Sequence, residues 1–306
     1  MIVSVVSYLA LCLLFAAAAP GLVERMPPAL GARLMGFGLV AMAGAGVFVL
    51  SSAAFVWLAQ RPRIARLGAW SPTKLRASDP IPPSVGVACV VVVCCCVAAA
   101  AVLLTRRLRS LGRVQAAVDR CGRGSRRVLV IRDSRVEAFT MPGRRGGRIV
   151  VSSGLLDALS SPERRAVFAH ERSHGRHGHL WWALASDVAV AANPLLRGPG
   201  RAMSHAIERW ADEDAAREVG DRRLVARTLA RAALLRKHGS IVAGELVLHA
   251  TASNVPERVR AMLAPQPRRN VVATVALGLM VLAAIVAAVI MQRSADGLLD
   301  TAQAVS

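Results

Sequence analysis

The stretch Ser161-Pro162-Glu163-Arg164-Arg165-Ala166-Val167-Phe168-Ala169-His170-Glu171-Arg172-Ser173-His174 carries the most informative pattern in the chain. Ser161 suits an N-cap with Pro162 as first helical residue, and Glu163 places a carboxylate where the helix dipole favours an anion. Ala166, Val167 and Ala169 give an apolar flank. The spacing therefore predicts a helix to about His174, with Gly175 and Gly178 loosening the chain beyond it. His170 and His174 project from one face of that helix, one turn apart, and can share one zinc ion. Glu171 lies beside the first histidine. From there it reaches a zinc-bound water without ligating the metal, accepts its proton and passes it to a leaving amine. The same five residues can arise by chance on a polar helix turn; the cap and the apolar flank weigh against that here.

A catalytic zinc needs a third protein ligand. One common pattern would place Gly at 177 and His at 180, but the chain has His177 and Leu180. The other common solution takes a carboxylate from a second helix. A helix over roughly Arg201–Val219 offers Glu208, with Asp212 one turn later to accept a hydrogen bond from the free ring nitrogen of a ligand histidine. His205, Asp212 and Glu213 are the next candidates for that place. Glu213, Asp214 and Glu218 on the same segment keep open the alternative of a solvated acidic face. His177 and His179 extend the histidine cluster, but past the predicted helix end they are expected to be non-ligands.

Outward from this segment the chain is apolar. Of its 306 residues 54% are hydrophobic and 19% charged, against about 25% charged in an average soluble domain. Ile2–Ala19, Leu34–Ala59, Val85–Thr105 and Val271–Met291 contain no Lys, Arg, Asp or Glu. Each is close to the roughly 20 residues a membrane-crossing helix requires. Leu180–Leu196, interrupted by Asp187 and closed by Asn193-Pro194, reads as a buried or interfacial helix rather than a fifth crossing. The loop Arg61–Pro83, rich in proline, reads as irregular. Arg106–Arg120 reads as a basic helix leaving the membrane, ended by Gly122 and Gly124. Val128–Arg132 and Arg148–Ser152 are β-prone, the second following a glycine-rich turn at Gly143–Gly147. A further amphipathic helix is expected over roughly Arg222–Lys237.

The formal charge is +20, and Arg106–Arg269 holds 31 Lys and Arg against 15 Asp and Glu. Positive-inside bias accounts for this most simply, with attraction to anionic lipid head groups next. Nucleic acid is not an expected partner: aromatics are only 4% of the chain and form no interleaved stacking platform. Five of the six cysteines lie in apolar runs and no C-x-x-C pair exists, so neither a disulfide framework nor a thiolate zinc site is supported.

Ala138-Phe139, Ile149–Ser152 with Gly154-Leu155-Leu156, His170–His174, and Ser204 to Glu208-x-x-Ala211-Asp212 together resemble the integral-membrane zinc peptidases of families M48 and M56, the HtpX-like and BlaR1-like gluzincins. The resemblance covers about Val136–Ala216. It implies that His170, His174 and Glu208 are zinc ligands and Glu171 the catalytic acid and base. It also implies that the strand Arg148–Ser152 borders the cleft and takes an extended substrate at a sheet edge. Three or more spans around one cytosol-facing domain suit the M56 layout better. Position 205 is His where M48 members usually show Arg, so His205 is either the transition-state stabiliser or a helix-face histidine.

The expected architecture is a mainly α, polytopic membrane protein with about four transmembrane helices and a gluzincin-type zinc peptidase domain, helical with a small β-sheet. Residues 1–105 form the N-terminal membrane region, 106–270 the peptidase domain, and 271–306 the last span and tail. The expected function is zinc-dependent hydrolysis of protein or peptide substrates in a cell membrane, for quality control or signalling. The alternatives are a BlaR1-like component that cleaves a repressor and a non-catalytic, lipid-binding scaffold. Arg106, Arg107, Arg109, Arg113, Arg268 and Arg269 flank the central domain and favour its cytoplasmic placement. Arg61, Arg63, Arg66, Lys74 and Arg76 in the first polar loop oppose it.

Overall fold

The uncharged runs fold as long helices because, in hydrocarbon, only a helix satisfies its own backbone polar groups. A computed structural model describes residues 2–68, 70–78, 82–121, 127–143, 147–235, 255–266 and 268–303. Helix α1 (Ile2–Glu24) is followed by α2 (Pro28–Ala59), with proline in the first turn of α2. The loop expected to be irregular instead forms two short helices, α3 (Pro62–Gly68) and α4 (Pro72–Ser78). Each begins at a proline, whose fixed φ and missing N–H suit the first helical position. Ala69 and residues 79–81 of that loop lie outside the described residues. Helix α5 (Pro83–Cys121) joins the third apolar run and the basic segment into one rod. Gly122, Gly124 and the middle of the Gly143–Gly147 turn lie outside the described residues.

A three-stranded sheet follows, with β1 (Val128–Ile131), β2 (Ala138–Met141) and β3 (Arg148–Ser152) in the order β1-β3-β2. β3 is parallel to β1 and antiparallel to β2. Val118 of α5 packs on Phe139, Met141 and Val150, which seats the sheet on the extramembrane part of that helix. The remaining elements are α6 (Ser153–Ala158), α7 (Ser161–His177), α8 (His179–Ala192), α9 (Arg197–Val219), α10 (Arg222–Leu235), α11 (Val255–Leu263) and α12 (Val271–Gln303). Lys237, the expected end of α10, is outside the described residues. Helices α1, α2, α5 and α12 are long and apolar enough to cross a membrane.

Glycines let the helices approach closely, as small residues do in membrane bundles. A Cβ on Gly36 would stand 2.6 Å from the Trp182 ring, and one on Gly38 would stand 2.8 Å from Phe15. The two ends of α2 meet different partners. Near its start, Gly36 meets Trp182 of α8, and Arg33 lies 4.5 Å over the Trp210 ring of α9. Near its end, Val56 and Ala59 cluster with Leu75, Ala295 and Ala302. There Trp70 Nε1 donates to the Ala59 carbonyl (2.9 Å) and the Ser71 N–H donates to that of Ala302 (3.2 Å). Along α2 (Pro28–Ala59) Arg33 and Ala59 are 26 residues, or about 39 Å, apart. The sheet and α7 thus lie towards one end of the bundle, with α3, α4 and the end of α12 at the other.

Among the described residues, Leu180–Leu196 is not one of the helices long and apolar enough to cross a membrane. Helix α8 runs into the bundle, turns through a 3-10 turn at Pro194–Leu196, and α9 returns. At the tip, Asn193 Nδ2 donates to Tyr8 Oη (2.9 Å) and meets Cys12 Sγ at 3.2 Å, while Tyr8 donates to the Met42 carbonyl (2.9 Å). Tyr8 is some 16 residues, or about 24 Å, from the Glu24 end of α1. The hairpin therefore dips among the membrane helices, and one apolar core joins Met35, Leu39 and Met42 of α2 with Leu196, Met203 and Trp210.

Candidate active site

Helix α7 presents the histidine pair. Its N-cap is Ser160, one residue earlier than the sequence suggests. Glu163 decides this: its carboxylate accepts from the Ser160 N–H (2.8 Å) and hydroxyl (2.7 Å), and Arg231 Nη1 reaches it at 3.1 Å. The reciprocal pairing requires the glutamate at the third helical position. The helix also runs past His174 to His177. Gly175 is absorbed within it, and Gly178, at φ 63°, supplies the left-handed residue that ends it.

His170, His174 and Glu208 come together although Glu208 lies on a different helix. One ligand atom from each lies within 4.8 Å of the others. The two Nε2 atoms are 3.0 Å apart, and they stand 3.6 Å and 3.7 Å from the Glu208 carboxylate oxygens. Two imidazoles and a carboxylate converging from two helices form a donor set suited to zinc. The residues fit the group. Asp212, one turn beyond Glu208, is 2.9 Å from His170 Nδ1, the place expected for it.

Arg258 on α11 completes the site and went unread in the sequence. It is 5% exposed. Its Nε and Nη2 donate to the two Asp212 oxygens (2.8 and 2.6 Å), and Nη1 lies 2.8 Å from Glu208 Oε2. Burial alone would raise both carboxyls, but Arg258 and the histidines hold Glu208 well below the usual range and lower Asp212 too. Burial also pulls His170 down, yet Asp212 and Glu208 outweigh it and the ring is pushed up to about 9. His174 is lowered, chiefly by burial. Among 39 Lys and Arg, no local signal marks Arg258; only its pairing does.

Glu171 is fixed from the sheet. The Thr140 hydroxyl lies 2.8 Å from its carbonyl oxygen and 2.9 Å from Oε2. This corrects one expectation. Arg148–Ser152 is paired on both sides, so it presents no free edge; the strand touching Glu171 is β2, at the sheet margin. The alternation of the Arg148–Ser152 run marked a strand, but strand order depends on long-range pairing.

The other histidines are not in the three-residue group. His177 Nε2 is 2.8 Å from Asp214 Oδ2, which also accepts from the Ser173 hydroxyl (2.8 Å). His179 is buried against His174 and Trp210. His205 lies on α9 three residues before Glu208, with Nε2 3.8 Å from Glu257; burial, then Arg209, lowers its pKa.

Fold and site together set a two-helix His/His/Glu group that could hold a metal ion beside a small sheet, in a helical chain with four helices long and apolar enough to cross a membrane among the described residues. Residues 103–192 match the model of peptidase family M48, a family that in general consists of zinc metallopeptidases. The match reaches from the end of the third apolar run to the end of α8 and leaves Glu208 and Arg258 outside it. No curated protein and no solved structure matches the chain.

Proposed function

We propose that the protein is a membrane-embedded zinc endopeptidase. The observation that carries this is the convergence of His170, His174 and Glu208 next to a Glu171 held by Thr140. A zinc ion bound by those three ligands would supply Lewis acidity to the scissile carbonyl. Glu171 takes the proton from the attacking water and returns it to the leaving amine. Asp212 orients His170, and Arg258 offsets the charge of Asp212 and Glu208. His205, whose pKa burial and then Arg209 lower, is the candidate donor to the transition-state oxyanion. An extended peptide would align along β2 through backbone hydrogen bonds. The substrate is a protein or peptide, handled in quality control or signalling. The peptidase elements face the cytoplasm, where Arg106 and Arg109 meet anionic lipid. A non-catalytic scaffold would not require Glu171 to be fixed beside the ligand pair.

The test uses purified full-length protein in detergent. Glu171→Gln should retain zinc at the wild-type level and lose cleavage of an unfolded protein substrate by about 100-fold or more, as expected for removal of a general base. Cleavage by Glu171→Gln at the wild-type rate would sink the peptidase reading.

A further inference from the structure

We infer that His179 is the positioning residue of the ligand His174, holding its ring as Asp212 holds that of His170. This rests on the metal-site reading above. His170 and His174 turn their Nε2 atoms towards each other and towards Glu208, so the Nδ1 atoms point away from the shared ion position. A ligand imidazole carries its proton on the nitrogen that does not bind metal, and an acceptor for that N–H fixes tautomer and ring plane. For His170 the group in that place is Asp212, whose Oδ1 lies 2.9 Å from Nδ1. For His174 the atom in that place is His179 Nδ1, 2.9 Å from His174 Nδ1.

The left-handed turn at Gly178 makes this possible, because it reverses the chain between α7 and α8 and brings residue 179 back under residue 174. The two rings meet edge to face with centroids 4.8 Å apart. As acceptor at Nδ1, His179 carries its own proton on Nε2, an atom that is buried without a hydrogen-bond partner among the described residues. Leaving one polar atom unpaired in the interior costs about 1–3 kcal/mol. That cost is accepted here to keep an imidazole, rather than an apolar ring, beside His174. Packing fixes the ring further: Trp210 lies 4.7 Å from it, and Arg33 of α2 covers Trp210. One ligand is thus oriented by an arginine-paired carboxylate, and the other by a neutral ring buttressed from a membrane helix.

Zinc affinity of the full-length protein, measured by competition with a chelating dye, tests this together with the absorption bands of the Co2+-substituted protein. His179→Asn keeps an acceptor at the Nδ1 place, His179→Gln moves the amide one carbon further out, and His179→Leu removes it. The Gln and Leu variants should lose about 10–100-fold in zinc affinity, the usual range for such outer partners, and Asn no more than about threefold. The Co2+ bands should shift in the first two and stay in the third. Equal losses in the Asn and Gln variants, with metal-free melting temperatures unchanged, would reduce His179 to packing and overturn the inference. Full affinity in both Gln and Leu variants would overturn it as well. Wild type that binds no zinc would instead bring down the metallopeptidase reading beneath it.

Discussion

Arg258 sits against two buried carboxylates, and its removal would leave both without their guanidinium partner. Breaking a buried ion pair by deleting one partner costs about 3–5 kcal/mol. We expect Arg258→Met to destabilise the metal-free protein by that order in chemical denaturation, and to be partly rescued by zinc, which supplies positive charge to the same carboxylates. A metal-free variant as stable as wild type would show that Arg258 does not offset their charge. Asp212, by contrast, was legible as the partner of one of the two histidines, though not of which, because a one-turn spacing from Glu208 is a property of the helix itself. Arg258 was not, because its role depends on α11 docking some 46 residues later in the chain.

Between elements, Asp214 of α9 ties down the end of α7 through Ser173 and His177, and Arg217 Nη1 supports it at 2.7 Å. Burial raises its carboxyl, but these three partners outweigh that and lower it below the usual range. A depressed carboxyl contributes stability that is present above its unfolded pKa, near 3.9, and lost as pH falls through the lower folded value. Thermal melts of wild type should therefore decline steeply below about pH 4, and Asp214→Asn should remove part of that slope. Equal acid limbs in both proteins would refute the tie. At the hairpin tip, a Cβ on Gly46 would stand 2.2 Å from Tyr8 Oη. Gly46→Ala should displace Tyr8 from Asn193 and cost about 1–3 kcal/mol, the usual range for overpacking. An unchanged melting temperature in detergent would mean that Tyr8 does not anchor the hairpin. The period of the α8 run suggested a helix, but its direction into the bundle is set by the polar contacts of Asn193.

At the scale of the whole molecule, the peptidase elements and the α3–α4 pair lie towards opposite ends of α2. Arg25, Arg33, Arg106, Arg107, Arg109, Arg113, Arg268 and Arg269 flank the membrane helices at the peptidase end. Arg61, Arg63, Arg66, Lys74 and Arg76 lie at the other. Some of these are engaged locally: Arg61 lies over Trp57 at 4.6 Å, and Arg76 reaches the Gln60 carbonyl at 3.4 Å. The denser set favours a cytoplasmic peptidase end, with the C-terminus outside. Fusions at Ser306 measure this: phosphatase should be active and the fluorescent partner dark. The reverse result would invert the orientation.

The sequence by itself determined the four apolar helices, because hydrocarbon admits about 20 uncharged residues only as a helix. It determined the histidine pair with Glu171, because helical spacing is local. It narrowed the third ligand to Glu208 and a few neighbours. Only the tertiary structure decided that Glu208 meets the pair, that Arg258 lies between Glu208 and Asp212, and that β2 rather than β3 forms the sheet margin at Glu171. It alone turned Leu180–Leu196 and α9 into a hairpin within the bundle. These are contacts between residues far apart in sequence. They are set by which apolar faces and buried charges satisfy one another, and no local period encodes that choice.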